Sequence, residues 1–505
     1  MALIELKIPA GVIRHGTDLD SSGRWRDTNL VRWRNGSARP VGGWEDFATS
    51  NGSAVQFFAT QVSVAGDNIS RGCHSWRTLA NTAYLGIGTA KKLYVVATSG
   101  TATDITPAGF VSGSLGGENV GFGGKNYGEH TYGTERPSDG QLTAASTWSL
   151  DNWGEYLVGC ADGDGKLYEW QLNTSNAAAQ VTNAPTNNTS IVVTAERFIF
   201  ALGAQGNSRK IKWCDKEDNT SWTAAATNEA GDIELPTNGD IISGVRVRGR
   251  TLIFTTVDAF VAVYSGPPTV YGFQRVGVGC GLAAPLGYAS IDIGAFWIGS
   301  NGFFMYDGQA ATEITCDVAD YVFGDINRAE FSKVFAVANQ KHGEIWWFYP
   351  SSGATENDRY VAFDYKEKHW IIGTLGRAAG VDAGIFDYPV WLDSTNKGYY
   401  HEKGNTHGGT DPHLESGPIY IGTGNQVMRV NAVVPDEETA NQVTLTFKTR
   451  LYPNASETSH GPYTLANPTS VRFTGRQVRM RVNGTDAADW KVGTMRLDAS
   501  TGGQR

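Results

Sequence analysis

Cysteine is scarce in this chain, with five in 505 residues, and Cys73, Cys160, Cys214, Cys280 and Cys316 lie far apart. The close pairs of a zinc site and the even framework of a stapled secreted domain are both missing. The cysteines are therefore expected to be reduced core residues of a protein made in a cytoplasm. Charge is also low at 18% and has the wrong sign for a general nucleic-acid grip, with 42 Lys+Arg against 51 Asp+Glu and a formal net charge of -9; phosphate binding needs clustered cations. No apolar run approaches the roughly 18 residues of a spanning helix, and the densest, Ile345-Trp346-Trp347-Phe348-Tyr349, is strand length. The opening residues, Met1-Ala2-Leu3-Ile4-Glu5-Leu6-Lys7, lack the basic and then apolar regions of a signal peptide. Neither a Walker-type GK[ST] nor a GxSxG elbow occurs.

What is abundant is glycine, with 62 residues against a usual share of about 7%, and aromatic surface, with 15 Trp, 20 Tyr and 21 Phe. That mixture excludes disorder and favours short strands joined by tight turns. From about residue 78 to 404, short aromatic and β-branched runs recur across Gly/Asp/Asn turns. Examples are Trp153–Val158 with Lys166–Trp170 across Asp162–Gly165, and Ala295–Ile298 with Phe303–Tyr306 across Ser300–Gly302. Taking the first strand of each unit near Tyr84, Tyr156, Phe198, Leu252, Phe296, Ile345 and Val390, the spacing is about 42 to 54 residues with one of about 72, the period of four-stranded propeller blades. The fold expected is all-β: a β-propeller of six or seven irregular blades, an N-terminal arm and a small C-terminal β-sandwich-like domain.

The expected divisions are an N-terminal β arm at 1–47, the propeller at 48–404 with a Gly-rich loop inserted at about 99–142, a linker at 405–416 and the C-terminal β domain at 417–505. Residues 48–416 hold 25 Lys+Arg and 38 Asp+Glu, or -13, while the two flanks are slightly basic. Within the C-terminal domain Val478, Met480 and Val482 alternate with Arg479 and Arg481, setting an apolar row against a guanidinium row. That row reads either as a solvated edge discouraging strand addition or as a docking face for an acidic partner.

Several side-chain groups could carry chemistry. His401, His407 and His413, with Glu402, Asp411 and Glu415 between them, have zinc-compatible donors, but the spacing is unlike HExxH and the run is glycine-rich. Polar linker residues are the preferred reading, and no metal or cofactor is expected. Asp162 and Asp164 with Gly165 match only part of a calcium loop and read as a hairpin turn. Gly277, Gly279 and Gly281 lack a surrounding βαβ unit and also read as a turn. A glycosidase would need two carboxylates in a cleft, yet no repeated Asp-box appears, so no enzyme is expected. Arg24, Trp25, Arg26, Arg32, Trp33 and Arg34 could form an aromatic and basic nucleic-acid platform. The preferred account buries both tryptophans and leaves the arginines paired or at an interface.

Those N-terminal residues, through Arg39-Pro40-Val41-Gly42-Gly43-Trp44, resemble the opening of the tail hub or nozzle proteins of short-tailed bacteriophages, also called packaged-DNA stabilisation proteins. Asp104-Ile105-Thr106-Pro107, the glycine loop, and Thr147–Glu155 followed by Leu157 resemble that family's most distinctive segment. His401-Glu402, Val434-Pro435-Asp436, Gly475-Arg476-Gln477, Trp490, Gly493 and Arg496-Leu497 follow in the same order, whereas the final Gly502-Gly503-Gln504-Arg505 departs from the family's doubly basic ending.

The resemblance implies a non-enzymatic virion protein, made and assembled in the bacterial host cytoplasm. It implies a homo-hexameric ring below the portal and adaptor, with tail fibre or needle proteins around or below it. Double-stranded DNA would pass through the ring without specific binding, and the ring would retain the packaged genome and then release it. On that reading the candidate docking residues are Arg24, Arg26, Arg32, Arg34, Arg472, Arg476, Arg479 and Arg481, and the candidate gate or distal loop contains Gly116, Gly117, Gly121, Phe122, Gly123, Gly124 and Tyr127. The competing expectation is a phage or bacterial propeller that binds or cleaves glycans.

Overall fold

A computed structural model describes residues 2–47, 69–97, 102–118, 131, 142–420, 424–438 and 441–503. These form seven four-stranded antiparallel sheets followed by a sandwich of two further sheets. Blades 1 to 6 each use four consecutive strands and begin at Ser70–Arg77, Trp148–Trp153, Ser190–Val193, Ile241–Val247, Tyr288–Ile291 and Phe335–Asn339. Blade 7 takes Ala379–Val381, Val390–Leu392 and Gly398–His401 from the far end of the propeller. Its outermost strand, Trp44–Asp46, comes from the N-terminus. The first strands of successive blades touch around a closed ring, and blade 7 meets blade 1.

All seven runs that mark the repeat in the sequence are second strands of their blades rather than first strands. A second strand has a neighbouring blade on each face, so most of its residues are apolar and tightly packed. Ile345, Trp346, Trp347, Phe348 and Tyr349 are each at most 1% exposed. First strands line the axis and can carry polar residues there, as in Arg71–Ser75 and Ser149–Asn152. Hydrophobic clusters fill the wedges between blades: blades 7 and 1, 1 and 2, 2 to 4, and 4 and 5. A further cluster runs from blades 5 and 6 through Trp25 and Trp33 into the sandwich core at Phe447, Phe473 and Trp490.

The sandwich corrects the expected divisions at both ends. One sheet has the order Ala2–Leu6, Met495–Thr501, Met428–Val434, Thr469–Gly475, and the other Trp25–Asn29, His413–Ser416, Gln477–Gly484, Val443–Arg450, Thr458–Thr464. The first 29 residues thus supply two strands of the C-terminal unit. The expected linker supplies a third, His413–Ser416, hydrogen-bonded on both sides. Val478, Met480 and Val482 point into the core while Arg479 and Arg481 face outward, as the alternation predicts. The hairpin Val31–Arg34/Ser37–Pro40 links sandwich and propeller. All five cysteines are free thiols. Among the described residues no helix is long and apolar enough to cross a membrane.

Candidate functional site at the propeller mouth and the arginine clusters

The connection between blades 1 and 2 is far longer than any turn in the ring. Its base is fixed by Ile105, fully buried, whose N–H bonds to the Leu93 carbonyl and whose carbonyl accepts from Ala178 N–H. Strands Leu115–Glu118 and Leu142–Ala145 then pair as an antiparallel stem. The stem rests on the 3-10 helix Arg328–Lys333 that leads into blade 6, where the Ala145 N–H donates to Ser332 Oγ at 2.8 Å. In ring order blade 6 lies opposite blade 2, so the stem crosses the mouth at which the first strands begin. Beneath it is a cavity of about 590 Å³ lined by Leu142, Ile241, Ile242, Pro285 and Arg328 among others, contributed by the stem and by successive blades.

Gly116 and Gly117 lie in this stem at φ +84 and +92. A Cβ on Gly116 would stand 2.9 Å from Lys333 Cε, and one on Gly117 would stand 3.0 Å from Glu330 Oε1. Glycine is required by conformation and by approach. Gly117→Val is expected to lift the stem from blade 6 at a cost of about 1–3 kcal/mol in backbone strain. The readout is faster hydrogen exchange at Ala145, and unchanged exchange there would refute the seating. Gly121, Phe122, Gly123, Gly124 and Tyr127 lie outside the described residues.

Under the stem, buried charges join three blades. Lys333 Nζ lies 2.8 Å from Glu330 and 3.2 Å from Glu356, and donates to the Thr355 carbonyl at 2.7 Å. Glu356 also takes Arg71 of blade 1 at 2.6 Å. Asn357 Nδ2 donates to the carbonyls of Lys333 and Arg377, adding blade 7. Sequence reading missed this network, because no local motif marks partners about 285 residues apart.

The arginines expected at a docking face divide into inward and outward sets. Arg32 is 2% exposed and bonds Glu402 Oε2 at 2.8 Å and Glu344 at 2.9 Å; Arg34 pairs with Asp364. Burial alone would raise the Glu402 carboxyl, but the Arg32 guanidinium outweighs it and holds Glu402 at about 2. These two arginines bind the N-terminal hairpin to blades 6 and 7; Arg32 is buried there, whereas Arg34 keeps part of its side chain exposed. Trp25 and Trp33 are buried beside them at 5% and 1% exposure, matching the preferred sequence account.

On the outer face of the sandwich, Asp18 of the N-terminal arm receives Arg26 at 2.9 Å and also Arg450 and Arg479. Glu415 takes Arg479 and Arg481 at 3.3 Å and Lys448 at 2.7 Å. The guanidinium row is therefore engaged chiefly by the chain's own acids. Arg24 is half-buried, Arg476 stacks over Tyr452 at 5.1 Å, and Arg472 points outward from its strand.

The histidines weighed as metal donors do not converge. His401 packs on Trp391, His407 lies between Asp486 and the Val41 carbonyl, and His413 faces Asp27. Among the described residues no three His, Cys, Asp or Glu side chains are arranged to hold a metal ion. Asp162 accepts from the Thr147 backbone and hydroxyl, and burial pushes its carboxyl up to about 6. Asp164 accepts from Tyr168 and Lys166, and Gly165 adopts φ +67, so this segment is a hydrogen-bonded turn.

No protein-family model and no curated protein matches the chain. Among solved structures it is similar to a streptogramin B lyase, at 10% identity and a TM-score of 0.40 over 67% of this chain and 94% of the other. It is also similar to a virginiamycin B lyase from Staphylococcus aureus, at 9% identity and a TM-score of 0.39 over 68% and 97%. A CNH domain matches at 12% identity and a TM-score of 0.28, over 50% and 92%.

Proposed function

We propose that this chain is a structural subunit of a short phage tail, forming the hub or nozzle ring below the portal and adaptor and guiding, retaining and releasing DNA. The observation that carries the reading is spatial. Blocks that resemble the nozzle family, hundreds of residues apart, meet at one junction. Arg32 of the first block bonds Glu402 of the His401-Glu402 block, and Gly42 N–H donates to the same carboxylate at 3.0 Å. Ala38 pairs through its backbone with Val492, and Gly493 N–H donates to the Asp436 carbonyl at 2.9 Å. A shared cavity is lined by Trp25, Trp33, Val492 and Gly493. Four of the resembling blocks thus build one joint, which favours a common architecture over scattered coincidence, while the Asp104–Pro107 and Thr147–Glu155 blocks lie in blades 1 and 2.

Near the propeller axis, between blades 1, 5, 6 and 7, lies a small cavity of about 130 Å³ lined by Gly72, Cys73, Tyr288, Ala336 and Gly380. In this reading the genome passes between subunits of a homo-hexamer. The net acidity of residues 48–416 suits a wall along which DNA slides, since a basic wall would hold it by counterion release. The mouth-crossing stem at Gly116 and Gly117 is the described part of the candidate gate, and Arg472 is the outward arginine best placed for docking. No turnover chemistry is assigned.

Absolute quantitative mass spectrometry of purified DNA-filled virions tests the reading. About half the copy number of a twelvefold portal is expected. Absence from the particle, or a copy number unrelated to the tail axis, would reject it in favour of a glycan-directed propeller.

A further inference from the structure

Blade 7 is closed by the three-residue strand Trp44–Asp46, and at its inner end lies a buried cation that, among the described residues, is hydrogen-bonded to no carboxylate. Arg377, in the connection from blade 6 to blade 7, is 5% exposed. Its guanidinium lies over the rings of Tyr399 at 4.7 Å and Trp44 at 5.1 Å. Nη1 donates to the Gly376 carbonyl at 2.7 Å, Nη2 has no hydrogen-bond partner among the described residues, and Nε donates to His401 Nε2 at 2.9 Å. A guanidinium can only donate. His401 Nε2 must therefore present its lone pair, which leaves the ring neutral with its proton on Nδ1.

His401 is 3% exposed, stacks on Trp391 at 4.0 Å and pairs through its backbone with Trp44. Among the described residues the charged groups around it offer no counter-ion for an imidazolium. His407 lies beyond Trp44 and is itself bonded to Asp486; Glu402 is turned to Arg32; Asp393 is taken by Tyr399 at 3.2 Å. The remaining charged ties of the closing strand, Asp46 with Lys397 at 2.6 Å and Glu45 with Lys403 at 2.9 Å, are partly exposed, and such pairs contribute little.

We propose that His401 is a proton-operated latch: a proton on Nε2 abolishes the Arg377 bond, sets two buried cations against each other and releases Trp44–Asp46, opening the ring at blade 7. Burial, then Arg377 and His407, hold the His401 imidazole well below its ordinary 6.5. The closure is therefore fully stable above that value and weakens as pH falls through it. For one histidine that titrates near 6.5 only when open, the opening equilibrium rises about thirtyfold from pH 7.5 to 5. The latch rests on contacts within this chain and not on the nozzle reading.

Hydrogen exchange of the full chain at those two pH values, corrected for intrinsic rates, tests it. The reporters are the N–H groups of Trp44 and Phe47, bonded to the carbonyls of Thr406 and Gly398. Their protection should lie below that of Ile199–Leu202 in blade 3 at both pH values and fall about thirtyfold on acidification. His401→Gln, whose amide oxygen can accept from Arg377 but does not titrate, should remove that fall. Equal protection in blade 3 and the closing strand of the wild type would overturn the latch even if the variant failed to fold. Retention of the fall in a folded H401Q would also overturn it.

Discussion

Arg32→Met is expected to lower the stability of the chain by about 3–5 kcal/mol, because it leaves the buried Glu344 and Glu402 carboxylates without their shared cation. Both acids have 5% or less of their side chains exposed. No rearrangement short of opening the joint gives them water, although Asn339 still donates to Glu402 at 2.8 Å and Trp346 to Glu344 at 3.0 Å. The loss should fall at the junction of hairpin, blade 6 and blade 7. Chemical denaturation reads the total, and hydrogen exchange at Trp44 and His401 reads its location. A loss below about 1 kcal/mol would mean that methionine packing replaces the ionic hub, as happens in some designed replacements of buried ion pairs. Glu402→Gln is expected to cost less, since Arg32 keeps Glu344.

The second large effect is acid sensitivity well above the range in which carboxylates titrate. Burial is the first cause that lowers the imidazoles of His74, His342, His369 and His401, with His342 brought to about 4. All four lie in blades 6, 7 and 1 or the turns that join their strands. His369 is buried and meets Trp33 edge-on at 5.6 Å. His342 stands 3.3 Å from Glu402 but also faces Arg32 and Arg34.

A lowered histidine binds its proton in the unfolded chain first, so its contribution is complete above about pH 6.5 and is lost as pH falls toward the folded value. His342, brought to about 4, alone costs about 1 kcal/mol between pH 7.5 and 5.5, and the other three act in the same sense. Asp162, raised to about 6, binds a proton in the folded state and returns about 1 kcal/mol, and Asp382 and Glu344, raised by burial, act in that opposite direction. With four histidines on the losing side, the net expectation is a fall in stability over that interval. It is measured by denaturant midpoints at fixed ionic strength. Stability that stays flat or rises on acidification would show that these imidazoles are already protonated in the fold.

Acid sensitivity would thus centre on the seam where the two ends of the propeller meet. That seam joins non-consecutive parts of the chain and holds more buried polar groups than the wedges between consecutive blades. Arg32, Arg34 and Arg71 lie there, each bonding an acid far away in sequence, and Lys333 and Arg377 stand beside them. Consecutive blades are pressed together by apolar second strands and need no such specification. A three-residue closing strand has too little apolar surface to specify its own register, and charged partners supply the alignment.

How much was legible in advance follows from the range of the signals. The repeat could be read because each second strand carries a run of apolar residues that recurs at blade length, which marks every blade from Tyr84 to Val390. The strand order could not, because first strands such as Arg71–Ser75 and Ser149–Asn152 look like polar loop. The alternation Val478–Arg479–Met480–Arg481–Val482 predicted which side chains face inward. It could not predict that Asp18, 461 residues from Arg479 in the chain, would occupy the outward row.

The sequence alone determined the all-β class, the blade period, the inward tryptophans at 25 and 33, and the glycines on which the insertion turns, because strand periodicity and turn chemistry act within a few residues. Tertiary structure alone decided that the N-terminus closes blade 7 and builds the sandwich, that Arg32 is a hub rather than a docking residue, and that His401 must stay neutral. Those outcomes depend on which distant groups become neighbours, and Coulomb and desolvation energies are set by distance in space, not along the chain.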